Sequence, residues 1–423
     1  MMTTSATVRA LTPYSPLPKH LKYSENMLPK TNPDPAIRPA ERLSAVSEYY
    51  FSRKGKEVAR LNAQGMDIIS LAIGSPDMPP SPQTIETLCE QARRPDAHGY
   101  QPTAGIPELR RAMAGFYERW YGVSLDPDTE IQPLIGSKEG ILHVTLALAN
   151  VGDEVLVPNP GYPTYTSLSR LLGTRVVNYS LRPENGWQPD FDELEAMDLS
   201  RVRIMWSNYP NMPTGAPAQM QTYERLVDFA SRHHIVVVND NPYSFILNRK
   251  PLSLLQVDGA KRCCIEFNSM SKSHNMPGWR VGMLATNAEF VSWILKVKSN
   301  IDSGTFRPLQ LAAATAYANA AEWHEEANYN VYARRRRLAE QIMTALNCTY
   351  DRNQVGMFLW GRIPDSYDNC EALTERVLHE ARVFITPGFI FGSGGTRYVR
   401  LSLCANEDKL TRALERIRQA FGQ

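Results

Sequence analysis

The amino-acid sequence predicts an α/β protein, with a mostly parallel sheet buried on both faces and a smaller α+β region after it. Three observations carry this expectation. From Asp67 onward, short apolar runs alternate with amphipathic helical stretches. The runs are apolar almost throughout, not at every second residue, as strands covered by helices on both faces must be. Beyond Phe306 the order changes, with two helical stretches followed by isolated strands.

The elements follow in order. Residues up to about Ala40 are rich in Pro, Ser and Thr and lack apolar periodicity, which predicts an extended or partly disordered arm. Strands are expected at 67–74 (DIISLAIG), 153–160 (DEVLVPNP), 175–181 (RVVNYSL), 202–210 (VRIMWSNYP), 235–243 (IVVVNDNPY), 263–271 (CCIEFNSMS) and 280–286 (RVGMLAT). Helical patterns at 138–150, 217–233 and 288–300 lie between them. In the last third, helices are expected at 308–322 and 329–346, a strand at 355–363, a helix near 370–381 and a strand at 396–403. The final helix starts around Asn406, which can cap it, with Glu407 and Asp408 in its first turn. The expected organisation is an arm and small-domain segment over 1–65, a large domain over 66–305 and a small C-terminal domain over 306–423. There is no internal repeat.

Composition limits the partners. The 423 residues carry a formal net charge of only +2, with 43% apolar and 21% charged residues. No basic or acidic block invites a nucleic acid or a membrane surface. No apolar stretch is long enough to span a membrane, and the first thirty residues lack the continuous hydrophobic region of a secretory signal. Six cysteines are scattered without CxxC pairs, so no metal site is expected and a reducing, cytoplasmic setting fits.

The most informative string is NSMSKSHNMPGWRVG at 268–282. Its lysine follows a buried strand, at the end of a sheet where α/β folds bind ligands. A lysine that forms an imine must be partly desolvated, so that its neutral amine is accessible. Ser269 and Arg280 can hold a phosphate, the arginine through its planar fork of donors, while Gly278 and Gly282 let the backbone approach closely. A lone loop lysine is ordinarily a solvated surface group; here the whole string asks for an explanation.

That string closely resembles the SxSK…GxRxG signature of class I/II pyridoxal-phosphate-dependent aminotransferases. Other stations of the family appear in order from Ile69 to Arg400. The resemblance implies a fold-type I architecture, a homodimer with shared active sites, and pyridoxal 5'-phosphate held as a Schiff base on Lys272. It assigns Ser137 and Lys138 of IGSKEGI (135–141) to the phosphate, at a strand-to-helix junction that offers free N–H groups. Tyr162 of PNPGYPTY is similar to the tyrosine that stacks on the pyridine ring. Asp240 and Tyr243 of NDNPYSF match the family's D-x-x-Y. A carboxylate at the end of an apolar strand needs a cationic partner, and a protonated pyridine nitrogen is one; Tyr243 would bond the ring's phenolic oxygen. Gly74 of ISLAIGSPD and Arg400 of RYVRLSL match the groups that meet the substrate carboxylate. Arg397 is an odd number of residues from Arg400 and should face the other way. Tyr100 of GYQPTAG resembles the tyrosine that reaches the neighbouring subunit's phosphate, joined there by Ser303 or Arg307.

Two departures matter. The family's Asn-Pro-Thr-Gly reads here as YPNMPTGA (209–216), with Met212 in the usual asparagine position, so either Asn211 takes over the ring contact from a shifted backbone or that contact is lost. The stretch SEYYFSRKGKEVARLNAQGMDIISLAIGSPDMPP is similar to the LL-diaminopimelate and prokaryotic aspartate aminotransferase branch, yet Lys296, Lys298 and Ser299 stand where dicarboxylate-using members often carry a second arginine. The GSGG at 392–395 is not a nucleotide loop, because a strand follows it and not a helix. The implied activity moves an amino group from an L-amino acid to a 2-oxo acid through the Lys272 Schiff base and pyridoxamine phosphate. The alternative, carried by Met212 and the long arm, is a lyase, cyclase, decarboxylase or oxidase on the same scaffold. A cofactor-binding regulator would need an added DNA-binding domain, and the arm is too short for one.

Overall fold

The computed structural model describes residues 37–48 and 50–422. The chain divides into two units, Met1–Glu41 and Arg42–Gln423. Most of the arm expected up to about Ala40 lies outside the described residues; residues 37–40 are exposed and irregular. The second unit holds the features that follow.

Its strands, among the described residues, are β1 (Ile69–Ser70), β2 (Ile131–Leu134), β3 (Glu154–Asn159), β4 (Arg175–Ser180), β5 (Val202–Ser207), β6 (Val236–Asp240), β7 (Cys264–Ser269), β8 (Gly282–Ala285), β9 (Phe358–Arg362), β10 (Val383–Phe384), β11 (Thr386–Pro387) and β12 (Tyr398–Ser402). A seven-stranded sheet has the order β2-β8-β7-β6-β5-β3-β4. All its neighbours are parallel except at β8, which runs against both β7 and β2. The carboxyl ends of β2, β3, β5, β6 and β7 therefore share one edge, and β8 starts there.

Both faces of this sheet are apolar, as the continuous runs require. Val155, Val157, Ile204, Trp206, Val238, Ile265 and Phe267 pack on one face with Ile141 and Val144 of the helix Ser137–Leu148 and Ile294 of the helix Ala288–Lys298. Leu156, Met205, Val237 and Cys264 point to the other, against Phe116 and Tyr117 of Pro107–Tyr121 and Leu226 and Phe229 of Met220–His233. Alternate residues of one strand thus serve two cores.

One expectation about strands needs correction. The run at 67–74 supplies only β1, which pairs in parallel with β10 outside the large sheet. Its continuation is extended, but its carbonyls serve side chains: Ala72 accepts from Arg400 and Thr386, Ile73 from Ser402, and Gly74 from Lys272. Conversely, the strand implied ahead of the 135–141 junction is β2 (IQPL), which no apolar run marks. It is too short to announce itself, and its Pro133 is tolerated because β2 lies at the sheet edge.

In the last third, β9 and β12 pair antiparallel and β11 flanks β12, so that Arg400 lies between Trp360 and Thr386. A strand does follow GSGG. Asn406 caps the helix Glu407–Phe421 by accepting from the Lys409 N–H at 2.9 Å. The helix expected at 329–346 spans Val331–Ala345 and is entered through a π turn at Glu325–Asn330.

Candidate active site

A cavity of about 320 Å³ opens at the shared edge of the large sheet. Much of its wall is built from the turns that follow β2, β6 and β7. β7 ends at Ser269, whose hydroxyl accepts from the Ser271 N–H at 3.2 Å and so starts the short helical turn Met270–Ser273. That turn aims Lys272 inward, where its ammonium donates to the Gly74 carbonyl at 2.5 Å. Burial pushes the Lys272 pKa below the usual lysine range, and Arg400 and Arg280 push the same way.

Arg280 closes the loop before β8. Its backbone is left-handed, φ +59°, a conformation that costs a non-glycine residue about 1 kcal/mol. The guanidinium donates to the Ser271 hydroxyl (3.3 Å), the Pro277 carbonyl (3.0 Å) and the Ile135 carbonyl (3.2 Å). It lies beneath Gly136, where a Cβ would come within 2.2 Å of Nη2, and Gly136 itself has φ +77°. Only glycine suits that position. Ser137 and Lys138 follow at the N-terminus of Ser137–Leu148 and line the cavity.

β6 ends at Asp240, which is buried. Burial raises its carboxyl pKa to about 6, while the Tyr165 and Ser137 hydroxyls and Lys272 pull it down. Tyr165 donates to Oδ2 at 3.1 Å, and its ring stacks on Trp206 with centroids 5.1 Å apart. Oδ1 is buried with no hydrogen-bond partner. Asn208 donates to the Asp240 carbonyl at 2.5 Å and also lines the cavity. Tyr243 is buried beside Phe358, and burial raises its hydroxyl pKa. Tyr162 lines the cavity and meets Tyr165 edge-on at 5.4 Å.

Arg400 reaches in from β12 and is 4% exposed. Its guanidinium donates to the Ala72 carbonyl at 2.7 Å and to the Met212 sulfur at 3.3 Å. Phe358, Phe391 and Phe51 surround it at 3.9, 4.8 and 5.7 Å. Arg397 turns away, to the Tyr367, Asp368 and Pro364 carbonyls and the Asp365 carboxylate.

Gly74, Ser137, Lys138, Tyr162, Asp240, Tyr243, Ser269, Lys272, Arg280 and Arg400 thus meet in one cavity. Two expected residues do not. The Asn211 side chain is spent on the Asn208 carbonyl (3.1 Å) and on Thr214, whose hydroxyl donates to it at 2.7 Å, so Met212 and Asn208 face the cavity in its place. Tyr100 is 95% exposed and stands outside this cavity. Lys298 is buried and bonded to Glu139 and Asp302, so it is not a free cation for a second carboxylate.

The arrangement fits pyridoxal phosphate. The unpartnered Asp240 oxygen suits a pyridinium N–H. The Gly136 turn, hydroxyls of Ser269 and Ser271, and Arg280 form an anion cradle at a helix N-terminus. A model of the family described as aminotransferase class I and II matches residues 66–417. This chain belongs to the class I and II aminotransferases. Among its curated relatives, an LL-diaminopimelate aminotransferase of Dehalococcoides mccartyi is 38% identical over 380 residues, covering 89% of this chain and 97% of the relative. Among solved structures, substrate-bound BacF from Bacillus subtilis superposes with a TM-score of 0.85 at 33% identity, covering 90% and 97% of the two chains. A Thermus thermophilus aspartate aminotransferase variant gives 0.84 at 28% identity, covering 91% and 100%. The chain is therefore a fold-type I enzyme that uses pyridoxal 5'-phosphate to move amino groups between amino acids and 2-oxo acids, and the relatives lend nothing to the lyase, cyclase, decarboxylase or oxidase alternative.

Sequence reasoning overlooked Tyr165, Asn208 and Ser271. Ser271 was legible, since it lies inside the signature string next to Lys272. Tyr165 and Asn208 act on Asp240 from 75 and 32 residues away, a pairing that no local pattern reveals. Among the described residues no helix is long and apolar enough to cross a membrane.

Proposed function

We propose that this aminotransferase works through Lys272 as the residue that carries the cofactor covalently, with Asp240 on the ring nitrogen and Arg400 on the substrate α-carboxylate. The observation that supports this most directly is the buried Asp240 oxygen without a partner, in one cavity with Lys272 and Arg400. When bound, the cofactor supplies an electrophilic carbonyl carbon and a ring that withdraws electrons from the amino acid's Cα.

The chain's own residues do the rest. Arg400 grips the α-carboxylate with its fork, and its three phenylalanine neighbours exclude water around that ion pair. Gly74 presents its carbonyl beside Lys272. Burial lowers the Lys272 pKa and so favours the neutral amine, the form able to take the Cα proton as base and return it as acid. Asp240 keeps its charge once its free oxygen is satisfied. Tyr162 would stack on the ring and Tyr243 would bond its phenolic oxygen, as both line the cavity. Ser137, Lys138, Ser269, Ser271 and Arg280 hold the phosphate.

The working unit is proposed to be a homodimer, with Tyr100 reaching the partner subunit's phosphate. Its strong exposure at the rim of this chain supports that reading, and Ser303 and Arg307 are proposed to share that side. Residues 66–305 carry the cofactor, while 306–423 bring Arg400. Six free thiols fit a cytoplasmic setting. The relatives' name makes LL-diaminopimelate the first amino donor to assay.

The test is borohydride reduction of the holoenzyme followed by peptide mapping. A pyridoxyl adduct on Lys272 is expected; its absence, or an adduct elsewhere, refutes the assignment. A donor panel read at the cofactor's pyridoxamine absorbance then tests the reaction. A new product without half-transamination would overturn it.

A further inference from the structure

A cluster of buried charge stands behind the anion cradle, outside the residues assigned above. Glu139 is the third residue of the helix that Ser137 opens. Its Oε2 accepts from the backbone N–H of Ile135 in a short hydrogen bond, reaching back across the Gly136 turn. Its Oε1 lies 2.5 Å from the Lys298 ammonium and 2.7 Å from His143 Nε2. Lys298, 3% exposed, also bonds both oxygens of Asp302, at 2.7 and 2.9 Å. Glu139, His143 and Asp302 offer ligand atoms within 4.8 Å of one another, but the ammonium of Lys298 lies among them and already supplies the cation.

The Ile135 peptide is thus held at both ends. Its N–H goes to Glu139, and its carbonyl accepts from Arg280 Nη2 at 3.2 Å. With Ile135 fixed, Gly136 takes its left-handed conformation and the helix starts with Ser137 and Lys138 against the cavity. A carboxylate in a helix's first turn complements the macrodipole, yet beside a bound phosphate an uncompensated one repels it. Lys298 removes that conflict.

We propose that Glu139, neutralised by Lys298, is a positioning residue for the phosphate end of the site: it fixes the Ile135 peptide on which both the Gly136 turn and the Arg280 fork depend. The inference rests on the cofactor reading above. Burial and neighbours agree with it, since His143, Asp302 and Lys298 hold the Glu139 pKa down to about 2 against the effect of burial.

The experiment measures the dissociation constant of pyridoxal phosphate on apo-enzyme, with the donor KM determined separately at saturating cofactor. Glu139→Ala is expected to weaken the cofactor on the order of tenfold or more, the size of one lost bond to a charged group, with the donor KM unchanged. Lys298→Met should do the same, because it leaves the carboxylate uncompensated. Glu139→Gln, which keeps an acceptor for the Ile135 N–H, should recover most of the affinity. A merely structural role would lower the melting temperature of apo and holo forms equally and leave the dissociation constant within twofold of wild type; that result overturns the proposal. Should Glu139→Ala fail to fold, the Lys298→Met and Glu139→Gln pair decides by the same criterion. Wild-type protein that takes up no cofactor would instead sink the reading of the site itself, and this inference with it.

Discussion

Replacing Asp240 by asparagine separates what the carboxylate costs the fold from what it gives the cofactor. In the protein without cofactor, burial holds this group at a pKa of about 6, against 3.8 for an ordinary aspartate. The folded state therefore keeps a proton that the unfolded chain has released, so its stability falls as pH rises from below 3.8 through 6. That gap between the folded and unfolded carboxyl corresponds to ~3 kcal/mol above pH 7 and roughly half of that at pH 5. Asparagine keeps the acceptor for Tyr165 and does not titrate. Apo Asp240→Asn is thus expected to be more stable than apo wild type by up to ~3 kcal/mol at pH 8, with the difference halving toward pH 5. Urea unfolding of both proteins across that range measures it. With cofactor present the order should reverse, because only the carboxylate can pair with a pyridinium. Equal apo stabilities at pH 8, or a difference that does not change with pH, would refute the reasoning.

Three further outcomes follow from the same geometry. Arg400→Lys keeps the charge but loses the fork, and should lower kcat/KM for amino donors on the order of 100-fold, about 3 kcal/mol, with the cofactor absorbance intact; steady-state kinetics checks this. Gly136→Ala puts a methyl group 2.2 Å from Arg280 Nη2 at φ +77°, so cofactor titration should show at least a tenfold loss of affinity. Tyr165→Phe removes the hydroxyl on Asp240 Oδ2, which should cost ~1–2 kcal/mol of cofactor binding and move its acid limb to higher pH; an unshifted limb would place Tyr165 outside the machinery.

Much of this is legible in the sequence. The apolar runs became β3 to β8 because a strand buried on both faces leaves an unbroken hydrophobic string, and Leu156 between Val155 and Val157 shows why: each face needs its own core. Arg397 does turn away from the cavity, but it precedes β12 in a turn, so strand parity is not what separates it from Arg400. What escaped was either short or non-local. The four residues of β2 carry a proline, and the run at 67–74 has the composition of a strand but spends its carbonyls elsewhere. The phenylalanines around Arg400 come from residues 51, 358 and 391, a meeting that only the folded chain arranges. Asn211 misled because its neighbour resembled a motif position, whereas Thr214 and the Asn208 carbonyl compete for its amide.

The stretch from Ala72 to Gly74 calls for a different kind of experiment from the rest. Arg400, Ser402, Thr386 and Lys272 all lean on oxygens of its main chain, so its contribution lies in the backbone more than in side chains. Truncating the exposed Ile73 side chain would leave those oxygens in place, whereas any side chain at Gly74 would put its Cβ within 2.3 Å of Phe358. An ester in place of one amide would weaken an acceptor, and a single inserted residue would shift the shelf under the reactive amine and the guanidinium together, so both would disable the enzyme where truncating Ile73 would not.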